Sequence, residues 1–428
     1  MSDTALPALD RTPVDILTLA TGRDTPPSSF AYDRRAHSEE AHKVRSMIKR
    51  FMGEDTAPNP ELAHEMGVGL WQGDALSDPA MMAIAAAGLN PHTVIERLLE
   101  GGLDALDSPP KEVVALWQQA TSIPDWLDWE TLEYGAEVYR RYGVAGFQFQ
   151  GVATIPGYLN ESIALTLMST GQYADDTAFK RFLLTCNFWM ETSDKGGMRP
   201  GAPGWKVAMQ VRMLHSLIRR TVLKRPRWEA ERLGMPISST IMLGAPMISS
   251  YLLGQQMKIL GYAASDDDIA AMMHLWRYIA YVMGVDDRHF PKSHSEAAQL
   301  LHDTHCLWEE TTPDEGIQLS QSFMNAFRNR AKAQADLESW RDYHRAIAQS
   351  FFFVPAPVRK TVGTPDPRFW ACLHWMTAFP RNRLIGALSY AAPAFNRWRD
   401  RRVSRRRRAW VERELNAASL VYRPQPKY

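Results

Sequence analysis

The sequence predicts an all-α protein, and three observations carry that expectation. From Leu62 to about Ser350, apolar residues recur at three- and four-residue spacing between Gly- and Pro-bearing breaks. No long run alternates apolar and polar residues with period two, as half-buried strands would. Helix punctuation is explicit: DDDIAAMMHLWRYIAYVMG (266–284) opens on an acidic run and closes on glycine.

Taken in order, residues 1–30 are rich in Pro, Thr, Ser and Asp and predict a loose arm. GEDTAPNPE (53–61) reads as a loop. The helical body that follows breaks at 75–79, 106–110, 196–204, 224–228, 261–268 and 288–294. PISSTIMLGAPMISSYLLGQQM (236–257) is uncharged, but its serines, glycines, glutamines and two prolines favour a buried helix pair over a membrane span. PAPVRKTVGTPDPR (355–368) reads as a linker. It leads to RWRDRRVSRRRRAW (397–410), a basic helix with eight arginines and one aspartate. The expected layout is an arm over 1–30, a helical body over 31–354, and a linker with a basic helical segment over 355–428.

Composition narrows the function classes. Hydrophobic residues make up 45% and charged residues 23% of the 428 residues, ordinary globular values. The net charge of +1 gives no case for nucleic acid as a partner. Three cysteines without a CxxC pair do not make a disulfide framework. The N-terminus lacks a basic segment followed by an apolar one, so no export signal is expected there. Together these predict a cytoplasmic chain, with the membrane surface as a candidate site of contact.

The helix GWKVAMQVRMLHSLIRRTVL (204–223) poses the chemical question. Ala208, Val211, Leu214, His215, Ile218 and Val222 share one face, and Met209, Met213 and Leu217 cover much of the other. A helix apolar almost all round is buried. His215 therefore has two readings: a core histidine bonded to a carbonyl, or an axial ligand to haem iron between apolar walls. Arg212 and Arg219 flank it at i−3 and i+4, either reaching solvent or pairing with haem propionates. The preceding helix, TAFKRFLLTCNFWME (177–191), puts Arg181, Leu184, Thr185 and Phe188 on one stripe. The loop 196–204 makes the two helices an antiparallel hairpin. Thr185 and His215 lie about ten residues to either side, at similar height for a rise of about 1.5 Å per residue. Arg181, Thr185 and His215 can then converge on one pocket, unless Arg181 simply pairs with a carboxylate such as Glu161.

Other constellations carry less. His302, His305 and Cys306 in HDTHC match no common zinc pattern. WQGD (71–74) reads as a helix terminus or turn rather than a catalytic aspartate. His274 reads as part of a core helix. No phosphate-binding glycine loop and no GxSxG elbow are present.

Across residues 60–290 the chain resembles the rubber oxygenase (latex-clearing protein)/MpaB family. The resemblance rests on IPDWLDWETLEYG, KRFLLT, PGWKVAMQVRMLHSLIRR, RWEAERLGMPIS and HLWRYIAYVMGVD, in that order. It implies a globin-like helical core around haem b, with His215 as the proximal iron ligand. Arg181 and Thr185 match the family's Arg/Thr pair beside the haem. Characterised relatives use O2 to cleave carbon–carbon double bonds of isoprenoid chains. The rubber-cleaving enzymes carry a lysine where this chain has Leu184, and Glu161 is the nearest counterpart to their distal glutamate. These departures point away from polyisoprene. They leave a haem-b oxygenase for a hydrophobic, olefin-containing lipid-like substrate, with Arg181, Thr185 and Glu161 as catalytic candidates. A haem monooxygenase or peroxygenase, and a non-catalytic haem- or lipid-binding protein, remain the alternatives. The block 397–408 adds a further expectation, contact with a membrane surface.

Overall fold

The computed structural model describes Leu19 and residues 21–169, 175–309 and 313–417, with the backbone only for 175–177 and 417. Its longer helices are α1 (Glu39–Met52), α2 (Pro60–Gly69), α3 (Ser77–Ala86), α4 (Pro91–Gly101), α5 (Lys111–Thr121), α6 (Trp129–Arg140), α7 (Gly143–Ala153) and α8 (Glu161–Ser169). They continue as α9 (Asp175–Ser193), α10 (Pro203–Leu223), α11 (Asp266–Val282), α12 (His294–Cys306), α13 (Asp314–Gln334), α14 (Leu337–Phe353), α15 (Arg368–Ala391) and α16 (Pro393–Ala417). Among the described residues the only β pairing is an isolated bridge between Phe30 and Trp308. The all-α expectation holds.

Local chemistry sets the helix starts. Asn59 and Asn90 cap α2 and α4, each with proline at the first helical position, where a missing N–H costs nothing. Ser265 and Asp268 form a reciprocal capping box at the start of α11, where three aspartates also face the positive end of the helix dipole. The uncharged stretch 236–257 is not a helix pair. It is a broken helical run, with a π turn over Ile248–Leu252 between short α segments.

Two packings matter for the site. Helices α6 and α11 lie close because Gly135 has no side chain: a Cβ there would fall 2.1 Å from the Ala271 carbonyl oxygen. Trp129 against Tyr278 and Tyr139 against Trp276 fill the rest of that seam. Helices α9 and α10 pack as the expected hairpin, and α10 also contacts α3 and α11.

Two expectations about the ends of the chain are corrected. The described part of the arm is fastened down. Arg23 pairs with Glu231 at 2.6 Å, Trp71 Nε1 donates to the Thr25 carbonyl, and Ser28 and Ser29 donate to the 231 and 232 carbonyls. Residues 1–18 and 20 lie outside the described residues. At the other end, packing does not break at 354/355. Helix α15 lies on α14, and α16 lies on α7 and α9. Buried charges tie α16 in: Arg140 holds Asp400 at 2.7 Å, Arg330 holds Glu414 at 2.5 Å, and Arg407 bonds Ser193 and Asp194 at 3.0 Å each. A helix anchored this way belongs to the body rather than to an appended segment.

Candidate functional site

Helix α10 behaves as its apolar pattern requires at both ends, and differently in the middle. Ala208 and Val222 are buried on the face it shares with His215. Between them Val211, Leu214, His215 and Ile218 keep partial exposure. Opposite, on α9, Arg181, Leu184 and Thr185 are also only partly covered, while Phe182, Leu183 and Cys186 on the other side are buried. The hairpin thus leaves an apolar strip incompletely filled, with the imidazole in its centre.

His215 makes no hydrogen bond among the described residues, and its Nδ1 is sealed from solvent without a partner. Burial, then repulsion from Arg219 and Arg181, pushes its pKa down to about 3. The ring is neutral at any ordinary pH, with a lone pair available. The bland reading, a histidine bonded to a carbonyl, does not describe it. An orphaned buried nitrogen is uncommon in a packed interior, and ligation is one of the few uses that relieve its cost. The donor chemistry therefore fits a residue that would hold haem iron through a ring nitrogen.

The two flanking arginines are engaged elsewhere, which corrects the expectation that they wait for propionates. Arg212 is 2% exposed, and its Nε and Nη2 reach Asp74 at 2.6 and 3.0 Å. Its Nη1 donates to Gln119 Oε1 at 2.6 Å and to the Val282 carbonyl at 3.1 Å. Arg219 pairs with Asp78 and donates to the Pro236 and Ile237 carbonyls at 3.0 and 2.8 Å. Burial works to raise the Asp74 carboxyl, but Arg212 holds it below the usual range. Burial prevails at Asp78, whose pKa is raised despite Arg219.

These pairs need room. Gly284 has φ +76°, which favours glycine, and a Cβ there would fall 2.1 Å from Asp74 Oδ2 and 2.6 Å from Arg212 Nε. Gly73, Gly284, His215, Ile237, Met242 and Met283 line a small pocket beside both ion pairs.

The remaining candidates are placed as follows. Burial pushes the Arg181 guanidinium below its ordinary range. Its charge and that of His215 are near enough to disfavour each other. The Thr185 hydroxyl donates to the Arg181 carbonyl at 3.0 Å, so its proton is committed to the helix. Leu184 lies on the same stripe and has no donor atom. Glu161 is held by Arg232 at 2.8 and 2.6 Å, and that hydrogen-bonded pair keeps its carboxyl below the usual range. The structure therefore joins Glu161 to Arg232, not to Arg181.

Away from this site, His302 bonds Asp303 at 2.9 Å and faces Arg45 at 3.3 Å, a filled buried network with Tyr32. His274 bonds the Asp128 backbone at 3.1 Å. Asp74 caps the start of α3 through the Leu76 and Ser77 amides, as a helix-terminus reading of WQGD expects. Its second role, partner to Arg212, escapes the sequence, as do Asp78 and Gln119. A buried arginine signals that some carboxylate must answer it, but at separations of 138 and 141 residues nothing local says which.

The description "ER-bound oxygenase mpaB/B'/Rubber oxygenase, catalytic domain" matches residues 111–412. A rubber oxygenase of Streptomyces sp. (strain K30) is 24% identical over 235 residues, 51% of this chain and 54% of that protein. The chain thus spans about half the length of that relative. Among solved structures, latex clearing protein in its closed state aligns with a TM-score of 0.57 at 19% identity. That alignment covers 80% of this chain and 91% of that one, and it supports the fold.

Proposed function

The chain belongs to the mpaB/rubber oxygenase family, and from that membership we propose that it is a haem-b-dependent oxygenase acting on a hydrophobic, olefin-containing substrate. One observation carries the reading. A neutral imidazole with an unpartnered buried nitrogen stands in the middle of an apolar strip that the fold leaves partly uncovered.

His215 would hold the haem. Bound there, the cofactor supplies the activation of dioxygen, which no side chain in the strip can perform. The side chains have simpler tasks. Val211, Leu214, Ile218 and Leu184 offer apolar surface that excludes water and takes up an olefinic chain. Arg181 keeps a cation close to His215, and hydrogen-bond donation from it is worth most where water is excluded. Arg212 and Arg219 are positioning residues: their carboxylate partners fix the rotation of α10 and with it the direction of His215. Removal of an allylic proton by Glu161 would require Arg232 to release it.

The test is aerobic incubation of the haem-loaded protein with prenylated and unsaturated lipids, read by O2 uptake and untargeted product analysis. Carbonyl fragments from one double bond support cleavage. Epoxides or alcohols would instead indicate monooxygenation. Protein that takes up no haem, or haem protein that consumes no O2 with any olefin, overturns the proposal.

Two variants report on the strip. Arg181→Ala is expected to lower turnover about 100-fold or more, the effect of losing one well-placed donor, about 2.7–4 kcal/mol. Thr185→Val should do much less, because the hydroxyl already serves the Arg181 carbonyl. Wild-type kinetics in Arg181→Ala would remove that residue from the mechanism.

Leu184→Lys is expected to give the ferric protein a low-spin, six-coordinate spectrum that strengthens toward alkaline pH. Only the neutral amine can ligate, and an unperturbed lysine titrates at about 10.4, lower when buried. Wild type, with leucine there, should bind imidazole or azide readily. A wild type that is already low-spin with a nitrogenous sixth ligand would contradict this.

A further inference from the structure

We propose that the outward face of α15 and the exposed arginines of α16 dock this protein on an anionic lipid surface. The expectation from the sequence alone placed the contact in the block 397–408. The structure divides that block. Arg399 bonds Ser389 and the Arg141 carbonyl, Arg407 is buried on Ser193 and Asp194, and Arg408 is paired with Glu191 and Asp194. Arg397, Arg401, Arg402, Arg405 and Arg406 are exposed. At 100° per residue they form one continuous outward side of α16.

Helix α15 supplies the apolar half. Its inward face carries small or polar residues, Ala371, Ala378, Asn382 and Gly386, packed on the body. Its outward face carries Phe369, Leu373, Met376, Leu384 and Leu388, which are 68%, 43%, 62%, 62% and 43% exposed. Those five fall within about 120° of one another around the helix. This inverts the pattern of an ordinary surface helix, in which the apolar stripe faces the core. Large contiguous exposed apolar surface marks a site of interaction.

Charge selects the occupant. From Pro367 to Val411 the only acidic residue is Asp400, and it is held by Arg140. Two copies meeting through this surface would oppose five exposed arginines to five, with Glu412 the one exposed carboxylate on that side of α16. A nucleic acid would use the arginines but leave the apolar stripe in water. A bilayer surface satisfies both halves, since it takes apolar side chains below the headgroups and presents anionic groups to the arginines. Trp398, 48% exposed and stacked by Arg402 at 5.5 Å, has the amphipathic character that favours the headgroup level. The helices lie on the bilayer rather than crossing it: among the described residues no helix is long and apolar enough to span one.

The test is co-sedimentation of the full chain with phosphatidylcholine vesicles, with and without phosphatidylserine. Wild type should pellet with the phosphatidylserine vesicles and be released as salt screens the charge. Arg401→Glu with Arg405→Glu should weaken that binding at least about tenfold, since each arginine near the surface is worth about fivefold. Leu373→Glu with Met376→Glu should abolish it. All four positions are exposed, so both variants should melt like wild type. Equal pelleting with the two vesicle types, or none, overturns the proposal. So does a wild-type dimer in sedimentation velocity that the Leu373/Met376 variant dissociates, which would assign the face to a second copy.

Discussion

His215→Ala is expected to yield folded protein with at least about tenfold less haem than wild type. Loss of the outer partners of a ligating histidine alone typically costs 10–100-fold in affinity, and loss of the ligand itself costs more. The fold should survive for a specific reason. In wild type the ring has no hydrogen-bond partner, so its removal strands no buried donor or acceptor. His215 lines a small pocket at a partly exposed strip, so the vacated volume opens beside existing space rather than within close packing. Pyridine-haemochrome quantitation gives haem per chain, and circular-dichroism melting gives the fold. Full haem occupancy with an unchanged melt would end the axial-ligand assignment. Loss of both haem and fold would make His215 a structural residue.

The contrast between what the sequence foretells and what it hides follows from the range of each interaction. Helix boundaries at Asn59, Asn90 and Ser265 are legible because a cap and its amides lie within three residues. The α9–α10 hairpin is legible because one glycine- and proline-bearing loop joins two apolar helices. The spacing of Arg181, Thr185 and His215 is legible for the same reason. What Arg212 and Arg219 do is not, because their partners come from the start of α3, far away in the chain. Read along α10 alone, two cations beside a histidine invite an anionic ligand. Only the fold reveals that Asp74 and Asp78 already occupy them. Arg232, which captures Glu161, is hidden likewise at a separation of 71 residues. The basic block misleads through composition. A run of arginines reads as a solvated or membrane-facing strip, yet the helical period turns Arg407 into the core and leaves its neighbour Arg406 exposed.

Arg212→Ala is expected to cost about 3–5 kcal/mol at neutral pH, the usual penalty for removing one partner of a buried ion pair. The cost arises at Asp74. Its carboxylate is buried and also accepts the Leu76 and Ser77 amides that begin α3. Without the guanidinium it remains charged and buried, and Gln119 and the Val282 carbonyl lose their donor. The pH dependence identifies the cause. In wild type the Asp74 pKa is held below its unfolded value of about 3.9, so its contribution is complete above that value and fades as pH falls through the folded pKa. In the variant, burial acts unopposed by Arg212 and raises the folded pKa above the unfolded one. The penalty is then largest at neutral pH and shrinks as acid neutralises the carboxylate. The destabilisation should therefore narrow between pH 7 and about 4, measured by thermal melts at each pH. Asp74→Asn should show no such narrowing, because it leaves a buried guanidinium that does not titrate. Arg212→Met with Asp74→Leu should recover much of the loss, since the pair is then replaced by apolar volume. Haem retention is the second readout. Arg212 is three residues from His215 on α10, so a helix free to rotate about its axis loses the aim of the imidazole. If the single variant melts within about 1 kcal/mol of wild type, or its defect is the same at both pH values, the ion pair does not hold α10 in place.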